Sequence, residues 1–253
     1  VDDDALLAAY NRQADAIHSM HIEALLRARA GQEYRVGEKQ REFPILLDLV
    51  RPDLVRVTGA VPAMSSRGFE MASDGKEFRL LISEDGRREF LAGPADAPPQ
   101  SQNPRENLRP QPIVDALLWR SGKLLQSSES GVQKAGTRTI RADLQATRAG
   151  EQTAQIGFNL QRGTVDSLTI LDAAGGLVSE VKYADWAKID SFGAEPVSGC
   201  FPRKVDFLEP SQDYEISLQI LRVAYNQPIP RSAFHPSPPK GVPVIPLLSA
   251  PAK

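Results

Sequence analysis

The residues able to do chemistry are few and scattered. His18, His21 and His235 are the only histidines. His18 and His21 stand three apart at a helix-to-strand junction, a spacing that could seat two metal ligands, but no acidic or Cys neighbour completes a tetrahedral set. A solvated surface role is expected for them. Cys200 is the single cysteine, which rules out an intrachain disulfide. With no His nearby to activate it, it reads as a structural thiol, buried and inert. Ser198-Gly199-Cys200 lacks the strand-turn-helix setting of a nucleophile elbow. Gly175-Gly176 reads as a hairpin turn rather than a phosphate cradle, because no helix follows it. Glu84 and Asp85 fall in a turn and are expected to be solvated. No acid, base and nucleophile converge, so the chain is expected to be non-enzymatic, with no cofactor and no metal site.

Composition narrows the rest. A chain of 253 residues can bury most of its unfolded surface and form one domain over 1–253. A net charge of −2 gives no basic patch for nucleic acid. The 41% apolar and 25% charged content are those of a soluble globular protein. No apolar run approaches the roughly 20 residues of a membrane-spanning helix. The chain opens Val-Asp-Asp-Asp without Met, so a processed product is expected, with any secretory signal or lipidated Cys lying upstream.

The elements that must position side chains are mostly strands. Leu6, Tyr10, Ala14 and Ile17 recur at helical spacing behind Asp2, Asp3 and Asp4, with Asp4 as a candidate cap. Asn11, Arg12, Gln13 and Asp15 are expected to face water. From His21 the period becomes two: Ile22, Ala24, Leu26, Ala28 and Ala30 share one face. The same alternation returns in Phe43–Leu49, Val55–Val57, Phe69–Met71 and Phe78–Ile82, and Glu84-Asp85-Gly86 supplies a turn. It continues in Ile140–Ala146 and Ala154–Leu160, with further strands near 165–171, 177–184, 201–208 and 213–223. The short spacings favour an antiparallel meander over βαβ crossovers. Residues 93–112 hold six prolines and read as a surface loop; the segment 226–253 holds eight and reads as an extended strap that could pair at an edge. Ile113, Val114, Leu117, Leu118 and Trp119 suggest a second, short helix.

An antiparallel sheet with one apolar face must bury it. About eleven strands offer on the order of thirty inward apolar side chains, and only two helices are available to cover them. The sheet must curl, and it either leaves an apolar hollow or fills itself with side chains. A hollow lined by Leu, Ile, Val, Phe and Met favours an acyl chain over a polar metabolite, at about 25 cal/mol per Å² buried. The inward residues expected to line it are Ile17, Leu26, Leu47, Leu49, Val57, Phe69, Met71, Phe78, Leu80, Ile82, Leu144 and Phe158.

"RPDLVRV…SDGKEFRLLIS", residues 51–83, resembles the core signature of the LolA/LolB-like family of periplasmic lipoprotein carriers and receptors. In that family an Arg-Pro corner starts a strand and a Ser-Asp-Gly turn leads into an aromatic-rich one. "NQPIPRSAFHPSPPKGVPVIPL", residues 226–247, is similar to the family's terminal pattern. The resemblance implies a mainly β fold with few helices (α+β): an unclosed antiparallel β-barrel of about eleven strands, wrapped around the N-terminal helix and a short lid helix. It implies binding of lipid or lipoprotein acyl chains for transfer or insertion in the bacterial cell envelope. The location implied is the periplasmic side of a Gram-negative envelope, with an outer-membrane lipid anchor and an envelope protein partner as further expectations. Arg51, at the matching Arg-Pro corner, is implied to hold the lid closed. Phe78 and Arg79 stand where the family commonly carries aromatics. The alternative is a non-catalytic assembly module at the outer membrane that keeps the scaffold but fills its interior.

Overall fold

The computed structural model describes residues 2–30, 42–59, 68–84, 87–95, 111–125, 136–144, 153–188, 200–209 and 214–247. Helix α1 (Asp3–Ala16) runs directly into β1 (Ser19–Ala30). The first meander continues through β2 (Phe43–Val50), β3 (Leu54–Gly59), β4 (Phe69–Ser73), β5 (Glu77–Glu84) and β6 (Arg87–Pro94). After α2 (Gln111–Leu117) comes the second: β7 (Gly122–Leu124), β8 (Thr137–Leu144), β9 (Thr153–Asn159), β10 (Thr164–Leu171), β11 (Leu177–Ala187), β12 (Phe201–Glu209) and β13 (Tyr214–Tyr225). A 3-10 turn, Arg231–Phe234, and β14 (Val244–Pro246) follow.

The described strands form one unclosed sheet in the order β14-β6-β5-β4-β3-β2-β1-β13-β12-β11-β10-β9-β8-β7. The two meanders join where β1 pairs antiparallel with β13. Period-two patterning sets the register, because a one-residue slip would turn every inward side chain outward. One row shows this: Val223, Ile22, Leu47, Val57, Met71, Leu80 and Leu91 are direct cross-strand neighbours in succession from β13 to β6. All seven are buried. β6 lies next to the β14 edge and β7 forms the other edge, and α2, between them in sequence, joins α1 in a single core with the sheet's inward face.

Eleven of these strands are those the alternation predicts. The other three, β6, β7 and β14, carry little pattern. β6 opens on Arg87-Arg88-Glu89 and closes on Gly93-Pro94, so the expected loop at 93–112 loses its first residues to a strand. Its last two, Gln111 and Pro112, belong to the first turn of α2, where proline's missing N–H removes no helical bond. β14 pairs with β6 in parallel, the one departure from antiparallel order in the sheet described.

Four local expectations are corrected. The cap of α1 is Asp2, which accepts from the Ala5 N–H at 2.7 Å, not Asp4. Asn11 does not face water; it is half-buried against β7. His21 is not simply solvated, because its cross-strand neighbour Asp48 bonds its Nδ1. Cys200 is exposed rather than buried, because the inward position at the start of β12 is taken by the next residue, Phe201. Gly175-Gly176 does close the β10–β11 hairpin, with Asp172 Oδ1 accepting from the Ala174 and Gly176 N–H groups. The side chains of Ala28, Ala30 and Glu84, and residues 85–86, 96–110, 145–152, 198–199 and 248–253, lie outside the described residues.

On the face opposite the core, Ala72, Leu81 and Phe90 are buried, and Phe234 of the C-terminal segment is 1% exposed. The 3-10 turn that carries Phe234 packs near β3. Arg79 donates to His235 Nδ1 at 2.7 Å, which ties the same segment to β5. β14 then reaches the sheet edge, with the Leu247 N–H bonded to the Ala92 carbonyl.

Candidate functional site

The inward face gathers all twelve apolar residues expected to line a hollow. Ile17, Leu26, Leu47, Leu49, Val57, Met71, Phe78, Leu80 and Phe158 are buried members of one cluster, and Phe69, Ile82 and Leu144 are half-buried against it. α1 covers this face with Leu6, Leu7, Tyr10 and Ala14. α2 adds Ile113, Val114, Ala116 and Leu117, followed by Leu118 and Trp119. The cover is small: 14 residues of helix in α1 and 7 in α2.

Arg51 joins the two helices to the sheet. Neither helix has a basic residue in its last turn to meet its unpaired carbonyls. The β2–β3 corner supplies the missing charge. Arg51 Nε donates to the Ile17 carbonyl at 2.6 Å, and one terminal nitrogen donates to the Ala14 carbonyl at 2.7 Å. The same nitrogen donates to the Trp119 carbonyl, just beyond α2. Burial first, and then the neighbouring Arg120 guanidinium, pull the Arg51 pKa below its ordinary value. Arg120 binds the same corner, bridging Asp115 of α2 and Asp53 at 3.0 Å each.

α1 is also held by side-chain contacts with β8, β7 and the residue before β7. Arg138 on β8 makes a two-pronged bond to Asp3, at 2.8 and 3.0 Å. Asn11 exchanges two bonds with the Gly122 backbone, and the Ser121 hydroxyl donates to Asp15 at 2.8 Å. These polar contacts ring the apolar cover.

Beneath the helices lies an aromatic cluster. Tyr10 stacks on Trp119 with centroids 5.1 Å apart and planes 11° from parallel. Tyr183 and Trp186 of β11 close on Trp119 at 5.4 and 6.1 Å. The Trp119 indole N–H donates to Tyr183 Oη at 2.9 Å, and that hydroxyl donates to the Ala116 carbonyl at 2.7 Å. Burial pushes the phenols of Tyr10 and Tyr183 up from their usual value. Tyr10 Oη and Trp186 Nε1 are buried and have no protein hydrogen-bond partner. Trp186 reaches the cluster through a backbone irregularity. Tyr183 points inward, Ala184 and Asp185 are both exposed, and Asp185 adopts φ 56°. A left-handed non-glycine residue costs roughly 1–2 kcal/mol, and here it interrupts the β11–β12 ladder at one position, with pairing resuming in the same register at Trp186 and Pro202.

A cavity of about 10 Å³ remains among Ala14, Ile17, Arg51, Leu117, Trp119 and Phe201, room for about one water. Among the described residues no group of three or more His, Cys, Asp or Glu is placed to hold a metal, and no described helix is long and apolar enough to cross a membrane. What this arrangement can do chemically is exchange buried apolar surface, with a few hydrogen-bonding groups among it.

Sequence reasoning missed the polar ring of Asp3, Asn11 and Arg138, whose partners lie more than a hundred residues away. It also missed Tyr183 and Trp186. The Val181-Tyr183 alternation was a usable signal for Tyr183; Trp186 lies off that alternation.

No family model and no curated protein matches the chain. Solved structures do. A LolA superfamily protein from Nitrosomonas europaea is 12% identical with a TM-score of 0.53, over 92% of this chain and 97% of its own. A DUF1329 family protein from Desulfovibrio piger is 12% identical with a TM-score of 0.54, over 91% and 96%. A domain named for outer-membrane lipoprotein sorting, from Vibrio parahaemolyticus, is 9% identical with a TM-score of 0.53, over 90% and 94%.

Proposed function

We propose that this chain, which has the unclosed antiparallel barrel of the LolA superfamily, binds acyl chains of a lipid or lipoprotein between its sheet and its helices. The work is transfer or insertion of that cargo on the periplasmic side of a bacterial envelope. The names of the structural relatives support a lipoprotein-related role there. The observation that carries the reading is Arg51. Its three bonds run to carbonyls at the end of α1 and just beyond α2, where both helices lay apolar side chains on the sheet. A cover held in this way can exchange its own apolar side chains for hydrocarbon, each buried CH₂ being worth about 0.8 kcal/mol. The twelve concave-face residues named from the sequence are then the acyl-chain wall, and Arg51 is the latch.

The close packing beside Arg51, where the cavity among described residues is about 10 Å³, favours a second reading, an assembly module whose interior is filled by its own side chains. Native mass spectrometry of protein purified from cell envelopes, with organic extraction and displacement of a fluorescent fatty acid, separates the two. Co-purifying acyl lipid and competitive displacement support the carrier. Absence of both overturns it in favour of the module.

A further inference from the structure

We infer that the Tyr10–Trp119–Tyr183–Trp186 cluster is a polar subsite for the ester carbonyl of the acyl ligand, with the Tyr10 hydroxyl and the Trp186 indole N–H as its donors. This rests on the carrier reading and specifies its ligand. Two independent observations carry it.

The first is an imbalance of hydrogen bonding. Buried polar groups are nearly always paired, so an orphan calls for an explanation. Tyr10 is 2% exposed, and its hydroxyl bonds nothing in the protein. The Trp186 indole nitrogen is likewise buried and unpaired. Both rings stand in one cluster through Trp119. The cluster's other polar atoms are already satisfied: Trp119 donates to Tyr183, and Tyr183 donates to Ala116. The second observation is the left-handed backbone at Asp185. Asp185 stands immediately before Trp186, at the one position where the β11–β12 ladder skips a pair. Strain of this kind persists where the surroundings require it, and it gathers at functional sites.

The chemistry of the missing partner follows. An indole N–H can only donate, and the Tyr10 hydroxyl has its proton free to give. The group that completes the site needs acceptor lone pairs for two donors. An ester carbonyl oxygen meets that need with its two lone pairs. A bare hydrocarbon or an alkyl ether leaves a carbonyl's place unfilled. The apolar wall therefore holds the chain, and the aromatic cluster reads how the chain is linked.

The test compares 1-myristoylglycerol with 1-O-tetradecylglycerol, equal in chain length and headgroup but lacking the carbonyl in the second. Each competes with a fluorescent fatty acid on the whole chain. The ester should bind about fivefold to tenfold more tightly per hydrogen bond gained. Tyr10→Phe and Trp186→Phe should each lower the ratio of ester to ether affinity. In the unsubstituted protein, the Trp186 indole proton resonance, assigned by its loss in Trp186→Phe, should move downfield with the ester and stay with the ether. Equal binding of both compounds, or an indole resonance that ignores the ester, overturns the inference and leaves the carrier reading standing. Binding of neither compound overturns both.

Discussion

Asn11 of α1 and Gly122 of β7 exchange two hydrogen bonds: Asn11 Nδ2 donates to the Gly122 carbonyl and Oδ1 accepts its N–H, each at 2.9 Å. A helix side chain thus occupies the place a further strand would take at this end of the sheet. Gly122 sits tightly, since a Cβ there would meet the Asp143 carbonyl oxygen at 2.7 Å. Asn11→Leu removes both bonds and is expected to lower stability by about 1–3 kcal/mol, read by urea denaturation. Hydrogen exchange should quicken first at Gly122. Asn11→Asp keeps the acceptor and should lose about half as much.

Arg51→Met leaves three helix-end carbonyls without their donor. We expect a loss of about 2–3 kcal/mol together with faster uptake of a fluorescent fatty acid, because the cover opens more often. Arg51→Lys keeps the positive charge near the helix ends but cannot span all three carbonyls, so it should fall between. If stopped-flow uptake by Arg51→Met matches that of the unsubstituted protein, the latch role is wrong.

The buried phenols set an alkaline limit. Burial raises the pKa of Tyr10 and Tyr183 in the folded chain, while an unfolded Tyr ionises near about 10. The folded state therefore keeps protons that the unfolded state gives up. This contribution is fully present below about pH 10 and is lost as pH rises above it. Tyr10→Phe should reduce the slope of stability against pH between about 10 and 12. At pH 8 the same variant should be neutral or more stable by up to about 1 kcal/mol, because it removes an unpaired hydroxyl. Urea midpoints at the two pH values give the sign.

Gly93 admits β14 to the sheet edge. A Cβ at this position would lie 2.6 Å from both the Cβ and the carbonyl oxygen of Leu247. Gly93→Val should displace β14 and uncover the β6 edge, which promotes strand-to-strand association. Light scattering during refolding should rise relative to the unsubstituted chain. Phe234→Ala, which empties the site beneath the same segment, should cost about 3–5 kcal/mol.

The strands were legible wherever one face is buried and the other wet, as in Ile22-Ala24-Leu26 or Ile140-Ala142. They were illegible where partners rather than pattern define them. β7 is three residues long, β14 is set among prolines, and β6 is framed by charges and a Gly-Pro end. The buried apolar face was legible residue by residue, because the inward side of an alternating strand is the same set whatever its partner. The polar fittings were not: Asp3 finds Arg138 and Asn11 finds Gly122 across more than a hundred residues.

Local order alone determined that this chain makes a long antiparallel sheet with one greasy face and little helix to cover it, since side-chain alternation is a property of neighbours in sequence. Tertiary structure decided how that face is closed. Three carbonyls at or just beyond the helix ends converge on Arg51, and Trp119 gathers Tyr10 and Trp186, each with an unpaired buried donor, into one cluster. Hydrogen-bond donors and acceptors act only over contact distances, so which of them meet depends on the folded path of the chain.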